Sequence, residues 1–198
     1  NISMSLVAML YNLQLLKAAG ENGVAAYGVI MYVQFIFIAI YIGYSIGTAP
    51  IIGYNYGAQN HKELQNIFKK SLKITAVAGL VLMTAAFVLS GTLAKIFVGY
   101  DAELYEMTKR GFRFYAASFF LCGFNIFSSS FFTALSNGPV SAAISFLRTV
   151  VFQVAAVLIL PGFFGIDGIW ASISVAEVLA LAVTTFFFIK LKNRYHYL

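Results

Sequence analysis

Gly43-Tyr-Ser-Ile-Gly-Thr-Ala-Pro-Ile-Ile-Gly-Tyr-Asn-Tyr-Gly-Ala-Gln-Asn60 is the stretch on which the reading of this chain turns. An apolar run that starts near residue 27 ends here on Pro50 and a turn built from Gly53, Asn55 and Gly57. A basic stretch, apolar only at intervals, follows from His61. An uncharged apolar run of 18 residues or more is long enough to cross a bilayer as a helix. A proline, a turn and a polar basic segment are what its aqueous end requires.

Composition extends this to the whole chain. Hydrophobic residues make up 61% of the 198 and charged residues 10%, with 20 Phe and 12 Tyr. A soluble domain carries about 25% charged residues to cover its surface, so the solvent of this chain is lipid. The net charge of +6 does not point to nucleic acid, because Lys and Arg sit at the ends of apolar runs, where they act as topology signals. Cys122 is single and lies inside an apolar run, a small core residue rather than half of a disulfide. His61 and His196 stand apart from each other in sequence and from any Cys, so no metal site is expected.

The spacing predicts an all-α, polytopic membrane protein whose six spans cover about residues 4–19, 27–53, 74–98, 112–135, 140–163 and 169–189. None alternates with period two, which disfavours a membrane β-barrel. The first span is short, and the chain opens without an initiator Met or a signal pattern. It therefore reads as a piece of a longer protein that begins inside a helix. Alternate connections place Lys62, Lys69, Lys70, Lys73, Lys190, Lys192 and Arg194 on one side. The other side carries Lys109 and Arg110 among five acidic residues. Lys17, Lys95 and Arg113, near helix ends on that side, can snorkel to it, which weakens the contrast without reversing it. The positive-inside rule makes the first side cytoplasmic, with both ends of the six-span unit on it, in the cell membrane. Residues 61–73 read as a short amphipathic helix on that surface, with a solvated linker as the alternative.

With six spans counted, the motif gains meaning. The chain resembles the C-terminal six-helix lobe of the MATE family of multidrug and toxic-compound exporters. The resemblance rests on Ala26-Tyr27-Gly28, on residues 43–60, on Leu147-Arg148, on Leu160-Pro161 and on Gly165-Ile-Asp-Gly-Ile-Trp170. It implies that the chain is one half of a twelve-helix transporter, facing a homologous N-terminal six-helix lobe across a central cavity. It also implies alternating access, with small organic cations or amphipaths exchanged for Na⁺ or H⁺ and no cofactor. Some members carry acidic cation ligands on the helices matching spans one and four. This sequence has Asn12 and Asn125 there, which moves the expected ion site towards the other lobe and leaves Na⁺ against H⁺ open.

Polar residues inside the spans are the candidate site. Ser118, Cys122, Asn125, Ser129 and Thr133 follow one another at helical spacing on one face of span four. Gln34, Tyr41, Ser45 and Thr48 form a similar stripe on span two, and span one adds Asn12. Either they line a cavity, with Asn12, Gln34, Tyr41, Asn125 and Ser129 as the candidates, or they bond helix to helix. Gly43 and Gly47 have small-xxx-small spacing and read as a close-packing surface. Arg148 and Glu177 each lie roughly 12 Å inside an apolar layer about 30 Å thick, at depths that differ by only about 6 Å. They are expected to pair, and Glu177 is the candidate for coupling to a cation or proton.

Two other classes compete. A flippase for lipid-linked oligosaccharides shares this architecture but calls for a long basic cavity, and Arg148 is the only deep cation. A membrane-embedded transferase has no phosphate loop, His-Glu-x-x-His or Gly-x-Ser-x-Gly to support it. The exporter reading, without enzymatic activity, is preferred.

Overall fold

The computed structural model describes residues 2–198, with side chains from Met4 onward, and its regular elements are helices. In chain order they are α1 (Ile2–Gly57), α2 (His61–Val88), α3 (Ser90–Val98), α4 (Ala102–Ala134) and α5 (Gly138–Phe146). A π-helical turn (Leu147–Phe152), α6 (Gln153–Ile159), α7 (Pro161–Phe164) and α8 (Ile166–Tyr195) complete the chain. Five stretches are long and apolar enough to cross a membrane: Met4–Gly57, His61–Val88, Ala102–Ala134, Gly138–Phe164 and Ile166–Tyr195. The first is folded in two at Gly20, whose φ of 62° and ψ of −151° suit a residue without Cβ.

α4 is the hub, packing against α1, α2, α3, α5 and α8. Its sequence allows this because small residues alternate with rings and let neighbours approach. A methyl group at Gly123 would run into the Tyr41 ring of α1, and one at Gly79 of α2 would come within 3.0 Å of the Phe120 ring. One half of the bundle buries Tyr11, Tyr27, Ile30, Phe112, Tyr115 and Trp170. The other half is an aromatic cluster in which Phe68, Phe131, Phe132 and Phe188 surround Tyr197. His196 takes the left-handed conformation (φ 55°) and turns the tail inward. Tyr197 Oη then donates to the Phe188 carbonyl at 2.9 Å.

Several boundaries differ from the sequence reading, each for a local reason. α1 does not stop at a turn over residues 53–57 but continues through Pro50 to Gly57. Pro50 removes the backbone donor to Ile46 O, and hydroxyls add bonds to the two carbonyls before it. Thr48 Oγ1 donates to Tyr44 O (3.0 Å) and Ser45 O (3.2 Å), and Ser130 Oγ donates to Ser45 O (3.2 Å). Asn55 Nδ2 donates back to Ile51 O at 2.8 Å. Residues 61–73 are not a separate surface helix. Asn60 caps α2 by accepting from Glu63 N (3.2 Å), and with no Gly or Pro before Gly79 the helix runs on into the bilayer-length segment. Leu89 interrupts the third span between α2 and α3. α4 begins at Ala102 because Asp101 accepts from Leu104 N at 3.0 Å, which makes most of the expected 99–111 connection helical. Gly43 and Gly47 are not a packing surface within this chain. Both are exposed, and nothing lies within 4 Å of a Cβ built on either.

Candidate functional site

The fifth span departs from α-helical geometry where its charge lies. The π-helical turn over Leu147–Phe152 carries Arg148 and Thr149. Such turns insert a residue into a helix, re-aim the side chains around it and recur at functional sites. Arg148 is thereby directed at α8. Its Nε donates to both oxygens of Glu177, at 2.8 and 3.0 Å, and its Nη2 donates to Oε1 at 2.7 Å. Glu177 is 1% exposed.

Asn125 of α4 completes the shell. Its Nδ2 donates to Glu177 Oε2 at 2.7 Å and to the Glu177 carbonyl at 3.1 Å. Its Oδ1 accepts from Thr184 Oγ1 at 2.9 Å. These partners fix which way the amide points, since only the nitrogen has hydrogens to give the carboxylate. An ionised carboxylate stripped of water is costly unless it is paired and hydrogen-bonded. Here both oxygens are served, by donors from two other segments, the π turn and α4.

Arg148 also borders a cavity of about 400 Å³ between the two limbs of α1, the π turn and α8. Tyr11, Tyr27, Gln34, Gln153 and Thr149 contribute to its wall, with apolar residues that include Met31 and Ile173. Tyr11 and Tyr27 stack on each other with centroids 5.2 Å apart. The site is therefore an apolar chamber with amides and one guanidinium in its wall, and a buried carboxylate directly behind that guanidinium.

Of the residues singled out from sequence, Gln34, Arg148, Glu177 and Asn125 belong to this assembly. Asn12 faces elsewhere, in a wider groove of about 780 Å³ that also contains Glu21. Tyr41 is buried against α4 and donates to the Phe119 carbonyl at 2.7 Å. Ser129 bonds Ser141 and Ser145 of α5, each at 2.8 Å, and Thr133 joins them through Ser141 at 2.7 Å. Ser118 and Cys122 donate to carbonyls three residues back in α4. In the 43–57 motif, Pro50 and Gly57 are exposed, Asn55 is buried and Gly53 lies 3.4 Å, by its Cβ position, from the Ala134 carbonyl. Tyr11, Tyr27, Gln153 and Thr184 were not singled out from sequence as site residues. Thr184 carried a signal, two helical turns from Glu177 on the same face. The π turn carried none, having neither Gly nor Pro.

Comparison with known proteins agrees with this architecture. The model of the MatE family matches residues 1–159. The multidrug export protein MepA of Staphylococcus saprophyticus is 26% identical over 195 residues, which span 98% of this chain and 42% of that protein. MepA of Staphylococcus aureus strain NCTC 8325 is 25% identical with the same coverage. Among solved structures, an outward-facing MATE family transporter of the MOP superfamily superposes with a TM-score of 0.88 at 22% identity, over 97% of this chain and 44% of its own. An inward-facing MATE transporter gives 0.89 at 22% identity, over 97% and 45%. The bent form of the Vibrio cholerae transporter VcmN gives 0.86 at 18%, over 98% and 44%. The chain thus spans less than half the length of these relatives and has the fold of one half of a twelve-helix transporter. It belongs to the MatE family of multidrug and toxic-compound extrusion transporters.

Proposed function

We propose that this lobe forms one wall of a secondary active exporter in the cell membrane, which expels cationic or amphipathic organic compounds in exchange for Na⁺ or H⁺. A homologous N-terminal lobe supplies the other wall, both ends of this lobe face the cytoplasm, and access alternates as the lobes move against each other. The observation that carries the reading is the Arg148–Glu177 pair at the edge of the 400 Å³ cavity. While Glu177 is ionised, the guanidinium is neutralised and an apolar cation can occupy the chamber. A proton or cation taken up by Glu177 releases Arg148 as an uncompensated charge on the chamber wall. Cargo and coupling ion then exclude each other, which is what exchange requires. The equal match to outward- and inward-facing transporters, 0.88 and 0.89, supports treating the lobe as one body that moves whole.

The test follows a fluorescent lipophilic cation in liposomes containing the intact transporter, under imposed Na⁺ or H⁺ gradients. Movement driven by one gradient and abolished by collapsing it is expected, and it names the ion. Glu177→Gln should fold yet lose the gradient dependence; unchanged transport in that variant removes Glu177 from the coupling step. Absence of gradient-driven movement in folded wild-type protein would favour flipping of a lipid-linked substrate instead.

A further inference from the structure

The charge of this chain is distributed very unevenly. At the end where α1 finishes, α2 begins and α8 ends, the seven cations of residues 62–73 and 190–194 face a single acidic side chain, Glu63. The opposite end holds five cations and five carboxylates, and the membrane interior holds the neutral pair of Arg148 and Glu177. The entire net charge of +6 therefore sits at one end. The ion pairs among the described residues are Lys109–Glu106, Arg110–Asp167 and Arg148–Glu177. None of them uses a cation from the charged end.

Part of that end is shaped. A groove of about 560 Å³ lies between the start of α5 and the last turns of α8, bordered by Asn137, Pro139, Phe187, Lys190 and Arg194. Asn137 uses its Oδ1 to cap α5, accepting from Val140 N at 3.4 Å, and its amide hydrogens remain for another acceptor. The Lys190 Nζ lies 5.3 Å from the centre of the Phe186 ring, so the stem lies along apolar surface and the ammonium stands at its edge. One turn further into the apolar layer, Phe186 is 55% exposed beside the Lys190 stem.

We infer that this groove is a binding site for the headgroup of an anionic phospholipid. Its phosphodiester would sit between Lys190, Arg194 and the Asn137 amide, with its acyl chains along the outer face of α8. A groove that carries two cations and lies beside exposed hydrocarbon matches both halves of such a molecule, whereas a soluble anion would leave the apolar half unused. The inference does not depend on what the transporter exports.

Native mass spectrometry of the delipidated intact transporter, given equal amounts of phosphatidylglycerol and phosphatidylcholine, tests it directly. Wild type should retain phosphatidylglycerol preferentially, and millimolar inorganic phosphate should not displace it. Replacing both groove cations (Lys190→Gln with Arg194→Gln) should reduce that preference about five-fold for each residue changed. Lys70→Gln with Lys73→Gln removes the same charge from the same end, outside the groove, and should leave most of it. Equal losses in the two double variants would show a diffuse field rather than a site. No preference in wild type, or displacement by phosphate, would also overturn the inference.

Discussion

At the scale of single residues, the site depends on pairs that fail when one member is removed. Arg148→Met would leave the buried Glu177 carboxyl without its cation, and the expected loss of stability is about 3–5 kcal/mol. Replacing both, with Arg148→Met and Glu177→Met, removes the uncompensated charge, so the double variant should unfold at a higher temperature than either single one. Thermal unfolding in detergent compares them. Glycines give a second contrast. Gly123→Ala forces the Tyr41 ring away and strains its bond to Phe119 O, at an expected cost of about 1–3 kcal/mol. Gly43→Ala meets nothing and should change the stability of the lobe by less than about 1 kcal/mol. The sequence placed Arg148 and Glu177 at matching depths because rise per residue is fixed, and the two side chains meet. Which way a helix is rotated is not fixed by its own sequence. For this reason Asn12, one position from Tyr11, points into a different groove, and Tyr41 serves packing.

At the scale of elements, composition located the apolar stretches but not their ends. Caps and side-chain bonds set those ends, and they reach past the turn signals: Asp101 starts α4 early, and the helix that Asn60 caps runs on past the short surface helix expected over 61–73. The tail is another such case. Tyr197 is wholly buried in the aromatic cluster, and burial pushes its phenol above the ordinary range, with Tyr195 adding to the shift. A raised folded value means that the stabilisation is fully present below the unfolded value of about 10 and is lost as pH rises beyond it. Unfolding temperature should therefore fall on the alkaline side of about pH 10, and Tyr197→Phe should flatten that fall while costing about 1 kcal/mol for the lost bond to Phe188 O.

At the scale of the molecule, the concentration of +6 at one end makes the proposed orientation testable. Asn60→Cys should react with a membrane-impermeant maleimide only from the cytoplasmic side, and Asp101→Cys only from the outside, with buried Cys122 as a silent background. Reaction on the reverse sides would invert the topology. The class of fold was legible because lipid imposes its demands on every span at once. The chamber was not, because it is formed between elements far apart in sequence. The central position of α4 bears on how the protein is made. Within this lobe residues 2–98 emerge before α4, yet α1 and α2 touch each other far less than either touches α4. Until residues 102–134 emerge, the earlier spans of this lobe lack the helix of the lobe against which they pack most. Assembly of the lobe therefore waits on the helix at its centre.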